Sequence, residues 1–101
     1  MGILLGDHQV TTAPTVKKAL ELARIGGFDL YILNGTYPDG TGLELCEQIR
    51  AFDGSTPILF FSGLAERSNI KAAMSAGAQG YLIKPDDIEQ LVPKVEELLK
   101  R

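Results

Sequence analysis

The sequence predicts one α/β domain built on a parallel sheet, and three observations carry that expectation. Leu30 to Leu33, Ile58 to Phe61 and Tyr81 to Ile83 are short apolar runs with no polar break. That is the pattern of strands covered on both faces, as in parallel sheets. Each run stops at a polar residue followed by Gly or Pro: Asn34-Gly35, Ser62-Gly63 and Lys84-Pro85. Between the runs lie helical patterns of about three turns, the length of right-handed crossover connections.

The chain has 101 residues, enough for one core but not two, so residues 1–101 are read as a single domain. Its 45% hydrophobic and 23% charged residues are ordinary for a soluble globular protein. A net charge of −3 with no Lys/Arg run argues against nucleic acid and anionic membrane as partners. Cys46 stands alone, so no internal disulfide can form, which fits a reducing compartment. No apolar stretch reaches membrane-spanning length and the start of the chain lacks a charged region with a cleavage site. A cytosolic protein is expected.

Along the chain, Thr15 to Ile25 reads as a helix, with Val16, Ala19, Leu20 and Ala23 on one stripe, Thr15 as N-cap and Gly26-Gly27 as the stop. A strand over residues 29–33 follows. A loop carrying Gly35, Pro38, Asp39, Gly40 and Gly42 leads to a helix from about Leu43 to Phe52, expected to bury Leu43, Cys46 and Ile49. After the strand opened by Pro57, an Ala-rich helix from Glu66 to Ala76 offers only Ile70 and Met74 as large apolar residues, so its burial should be shallow. The last helix is expected near Asp86 or Asp87, each with Glu89 or Gln90 three residues on as a capping box. Ile88, Leu91, Val92, Val95 and Leu98 would point inward, and Pro93 either kinks this helix or marks its true first turn.

In an open parallel sheet, ligands bind just past the carboxyl ends of the strands. Topology alone therefore gathers Asn34, Ser62 and Lys84 at one edge. Asn-Gly is a common turn dipeptide, but parallel strands do not end in two-residue hairpins. The same pair is prone to deamidation, since glycine leaves the cyclisation route unhindered. Asp39 reads as a turn residue of Pro-Asp-Gly, Cys46 as core packing and His8 as a surface residue.

With these residues in place, the sequence resembles the receiver domain of two-component response regulators. The resemblance runs from about Val10 to the C-terminus and rests on FDLYIL, PDGTGLEL, ILFFSG, SAGAQGYLIKP and the spacing between them. It implies a flavodoxin-like, CheY-like parallel sheet with helices on both faces. It also implies that Asn34 stands at the phosphoacceptor position, where the family has an aspartate. Ser62, Lys84 and Pro85 match the phosphate pocket, and Tyr81 the aromatic that changes rotamer on activation. The family's signalling face would here include Ile70, Lys71, Met74, Tyr81 and Gln90.

Two departures matter. A neutral amide is a poor nucleophile and a poor Mg²⁺ ligand. The family's acidic pair at the end of the first strand has Asp7 as its sole candidate remnant, so Mg²⁺ binding is expected to be weak or absent. Only fourteen residues precede the helix expected at Thr15, so about one strand–helix unit is lacking. Residues 3–6 and 8–12 cannot be adjacent parallel strands, because a parallel neighbour needs a crossover of a dozen residues or more. Either ILLGD ends a shortened first helix and HQVTTA is the second strand, or ILLGDH is the first strand with a helix and strand missing after it. The first is favoured, since chain ends tolerate loss better than interiors. Loss of that unit would leave Leu30, Ile32 and Ile58 facing water, so a homo-oligomer, most simply a dimer, is expected.

These readings together describe a pseudo-receiver: no enzyme, no cofactor, no phosphoryl uptake, and output through a protein partner or self-association. The alternative is a phosphorylatable receiver whose acceptor or N-terminus has been altered. A small enzyme or nucleotide binder is weaker, for want of a Gly-rich phosphate fingerprint or a nucleophile–base pair.

Overall fold

Apolar residues at every position of β3 (Leu30–Leu33) leave no face for water, and all four are buried. The computed structural model describes residues 2–6 and 9–100, with side chains from residue 10 onward. In chain order come β1 (Gly2–Gly6), β2 (Gln9–Ala13), α1 (Val16–Ile25), β3, β4 (Thr36–Tyr37), β5 (Gly40–Thr41) and α2 (Gly42–Arg50). Then follow β6 (Ile58–Ser62), α3 (Arg67–Ser75), β7 (Gly80–Ile83), a 3₁₀ turn (Ile88–Gln90) and α4 (Leu91–Leu99). The main sheet has the order β2-β1-β3-β6-β7, and β4 and β5 form a separate two-stranded ribbon in the loop after β3.

The expected α/β fold is present, with its N-terminal part built in a way neither sequence reading anticipated. Both 2–6 and 9–13 are strands, and they pair antiparallel, Leu5 opposite Val10 and Gly6 opposite Gln9. β1 then lies antiparallel beside β3, Ile3 opposite Ile32. Parallel pairing is confined to β3, β6 and β7. A hairpin needs two linking residues where a parallel pair needs a crossover helix, so fourteen residues suffice to supply the two strands on one side of β3. Among the described residues, no helix precedes α1.

The core has two parts. On one face Tyr31, Leu33, Ile58 and Phe60 pack under Val16, Ala19 and Ala23 of α1, Leu45, Cys46 and Ile49 of α2 and Ala73 of α3. On the other, Leu30, Ile32, Leu59 and Leu82 lie under Leu98 of α4, flanked by Leu91 and Val95. Leu30, Ile32 and Ile58 are therefore buried within one chain, against the expectation that they face water. Register puts Val10 and Thr12 on the α4 face of β2, and both are exposed, so α4 does not cover that end.

Local signals explain most boundaries. Thr15 caps α1 by accepting from the Lys18 amide at 3.0 Å, and Gly26 and Gly27 end it at φ of 86° and 85°. Thr41 and Glu44 form a reciprocal capping box at α2. In α2 the fully buried leucine is Leu45, not Leu43, because the helix begins at Gly42 and the buried stripe runs Gly42, Leu45, Cys46, Ile49. α3 buries only Ala73, as its composition predicts. Pro93 sits in the first turn of α4. The expected capping box at its start is absent: Asp87 instead accepts from the Ile83 amide (2.8 Å) and the Gln90 side chain (3.2 Å). With α4 starting only at Leu91, Ile88 and Val92 fall on the outside, 53% and 65% exposed.

At the opposite end of the sheet from the strand tips, Arg50 of α2 joins three elements. Its guanidinium donates to Gly77 O (2.9 and 3.1 Å), to Gln79 Oε1 (3.0 Å) and to Asp53 O (2.9 Å). Asp53 in turn accepts from the Thr56 hydroxyl at 2.6 Å and the Tyr31 hydroxyl at 3.3 Å.

Candidate functional site

Parallel pairing of β3, β6 and β7, with Leu33 opposite Phe60 and Ser62 opposite Ile83, brings their carboxyl ends level. Asn34, Ser62 and Lys84 meet there. The Lys84 ammonium donates to Asn34 Oδ1 at 2.7 Å and lies 5.3 Å from the centroid of the Phe61 ring. The Lys84 amide donates to Ser62 O at 2.9 Å, and the Lys84-Pro85 bond is cis. Ser62 is 2% exposed, and its hydroxyl accepts from the Leu64 amide at 3.0 Å.

The backbone around Asn34 is tightly fitted. Its amide donates to the buried Tyr37 hydroxyl at 3.0 Å. Burial raises the Tyr37 pKa and that hydrogen bond partly offsets the rise. A methyl group on Gly35 would overlap the Ser62 hydroxyl and the Leu64 side chain. One on Gly42 would overlap the backbone oxygen of Asn34. Glycine at both places is what lets the loop close, and the Gly42 amide seals it by donating to Gly35 O at 2.9 Å.

Tyr81 stacks on Phe60, ring centroids 5.4 Å apart and planes 6° from parallel, and its hydroxyl donates to Leu64 O at 2.6 Å. Leu64 is thus held by its amide on Ser62 and by its carbonyl on Tyr81. Asp39 lies on the loop and is taken up by the start of α1: it accepts from the Val16 (2.8 Å) and Lys17 (3.1 Å) amides. Those two bonds hold its carboxyl below the ordinary range. The turn residue read from the sequence is also a tertiary cap on α1.

Reasoning from sequence missed Tyr37 and Leu64. An aromatic inside a Gly/Pro/Asp loop was the available signal for Tyr37; nothing local marks Leu64. Asp7 and His8 lie outside the described residues. β1, however, runs antiparallel to β3, with Leu5 opposite Leu30. At about 3.3 Å per residue, its Gly6 end is more than about 10 Å from the level of Asn34.

Phosphoryl transfer in receivers requires Mg²⁺, and the described residues at these strand ends offer it few donors. Among the described residues, no three His, Cys, Asp or Glu gather as a metal site. Asn34 Oδ1, the oxygen best placed to coordinate a cation, already faces the Lys84 ammonium. What the arrangement offers is a neutral amide locked to a cation.

Residues 4–96 match the family model of the response regulator receiver domain. The chain is 38% identical over 85 residues to the response regulator ArlR of Staphylococcus epidermidis, covering 84% of this chain and 38% of that protein. It is 34% identical over 95 residues to the nisin biosynthesis regulatory protein NisR of Lactococcus lactis, covering 94% of this chain and 41% of that protein. The chain therefore spans about two fifths of these curated relatives. Among solved structures, a two-component response regulator from Clostridium difficile superposes with a TM-score of 0.81 at 32% identity, covering 88% of this chain and 73% of that one. The receiver domain of Francisella response regulator 1452 gives 0.82 at 30% identity, covering 90% and 75%. No helix among the described residues is long and apolar enough to cross a membrane. With the strand order, the three converging strand ends and these matches in agreement, the chain belongs to the response regulator receiver family of two-component signalling.

Proposed function

We propose that this domain is a pseudo-receiver: it keeps the receiver scaffold, takes up no phosphoryl group, catalyses no reaction and works as a cytoplasmic protein-interaction module. The observation that carries this is Asn34 at the acceptor position with its side-chain oxygen bound to Lys84 at 2.7 Å. The amide has no lone pair suited to attack phosphorus, and Lys84 is already engaged without a phosphate. The direction of β1 adds support, since it carries the first strand's end away from Asn34. In this reading Ser62, Lys84 and Pro85 are pocket remnants and Tyr81 the remnant of the switch.

The partner is a protein that docks on the face of Ile70, Lys71, Met74, Tyr81 and Gln90. Met74 is 43% exposed there, and Tyr81 links that face through Leu64 to Ser62. Self-association has a separate candidate surface, the outer edge of β2 with exposed Val10 and Thr12. Light scattering at low micromolar concentration tests it, with a Val10→Lys variant expected to be monomeric.

Incubation with a small-molecule phosphodonor and Mg²⁺, followed by intact-mass measurement, tests the central reading. No adduct is expected. A hydroxylamine-labile phosphoryl adduct would establish the alternative, a working phosphoacceptor domain.

A further inference from the structure

We infer that Asn34 is a self-modification site, whose geometry directs deamidation to ordinary aspartate rather than isoaspartate. The co-reactant is water. In the first step the Gly35 backbone nitrogen attacks Asn34 Cγ. A nitrogen–carbon bond forms, the Cγ–Nδ2 bond breaks, and ammonia leaves with the proton that Gly35 gives up through solvent. Negative charge develops on Oδ1 as Cγ becomes tetrahedral. The Lys84 ammonium sits 2.7 Å from that oxygen, where a donor stabilises such an oxyanion.

The succinimide has two carbonyls, and the one that water opens decides the product. Attack at Cγ breaks its bond to the Gly35 nitrogen, restores the peptide amide and leaves a side-chain carboxylate: aspartate. Attack at the backbone carbonyl breaks the other bond and reroutes the chain through the side chain: isoaspartate. The two carbonyls are differently placed. Asn34 is half-exposed, and its Cγ carries the oxygen polarised by Lys84, which is itself exposed. The backbone carbonyl is packed against Gly42 so closely that a methyl group on Gly42 would overlap its oxygen and lie 2.9 Å from the Phe60 ring. Isoaspartate would also lengthen the backbone by one carbon. The loop resists that, being tied by Asn34 N to the Tyr37 hydroxyl (3.0 Å) and by Gly42 N to Gly35 O (2.9 Å). The product is a carboxylate paired with Lys84, an acidic group installed in place of a neutral amide by time and water alone.

This goes beyond the pseudo-receiver reading and does not rest on it, since its readout is amide chemistry and not phosphorus. The test is aged full-length chain in mildly alkaline buffer, mapped by mass spectrometry with an isoaspartate-specific methylation assay. A synthetic peptide of residues 28–42 and a Lys84→Met variant are aged alongside. In the folded chain, aspartate at position 34 should exceed isoaspartate, with the reverse ratio in the peptide. The Lys84→Met variant should convert several-fold more slowly, and Lys84→Arg should keep the rate. Amide alone in the folded chain after the peptide has converted would overturn the inference. So would isoaspartate as the main folded-state product, or an unchanged rate in a folded Lys84→Met chain. Should Lys84→Met fail to fold, the comparison of chain with peptide decides.

Discussion

The Tyr81 hydroxyl donates to the backbone carbonyl of Leu64 at 2.6 Å while its ring stacks on Phe60. Tyr81→Phe keeps the stack and removes only the hydrogen bond. A loss of about 1 kcal/mol is expected, the usual net worth of such a bond. Amide exchange in residues 63–66 should quicken with it. Unchanged exchange would mean that the Ser62 contact alone holds the loop.

Asn34→Asp tests how much of the lost chemistry lies in one residue. The new carboxylate pairs with Lys84, and the domain should melt higher. Phosphodonor and Mg²⁺ should still leave little adduct, because among the described residues no cluster of acids gathers to hold the metal. Ready phosphorylation of this single variant would place an acidic pocket near residue 34 and sink the argument from the direction of β1.

Leu45 is fully buried under the sheet whereas its neighbour Leu43 is half-buried. Leu45→Ala should destabilise by about 2–5 kcal/mol, a large share of the stability of a small domain. Leu43→Ala should cost clearly less. Equal losses in chemical denaturation would mean that the buried stripe of α2 is misassigned.

Asp53 and Tyr31 set a pH dependence at both extremes. Burial alone would raise the Asp53 carboxyl, but hydrogen bonds from Thr56, Ser55 and Tyr31 outweigh it and bring its pKa to about 2. Its ordinary value is about 4, so its contribution is present above about pH 4 and is lost as pH falls toward about 2. Burial, then the charge of Asp53, pushes Tyr31 up to about 12. That contribution is complete below about pH 10 and fades as pH rises toward about 12. Asp53→Asn should flatten the acid limb of stability against pH. A wild-type acid limb that survives the substitution would assign it to other carboxylates.

The parallel half of the fold was legible because β3, β6 and β7 are sandwiched, and sandwiched strands must be apolar throughout. Asn34 and Lys84 were legible for the same reason, since a strand end is marked where an apolar run meets a polar residue. The N-terminus was not. GILLG is apolar enough for a strand or a helix turn, and strand direction leaves no trace in five residues. Leu45 was missed because Leu43 and Leu45 lie on opposite sides of the Cys46–Ile49 stripe, and periodicity alone does not say which side is buried. Ile88 and Val92 were misplaced because the 3₁₀ turn delays α4 until Leu91. Tyr37 was hidden because its role depends on a fold-back of the loop onto Asn34, a contact formed by the ribbon of β4 and β5.

The hairpin of β1 and β2 also changes how the domain can assemble. A sheet with a parallel centre must close a long crossover before its middle strand finds a neighbour, and that closure slows folding. Here β1, the strand beside the central β3, meets its first neighbour across two residues, and a hairpin forms on a timescale of about 1–10 μs. The neighbour of the central strand β3 is thus paired by a contact as local as that of β4 with β5, and β3 arrives at a ribbon that is already paired.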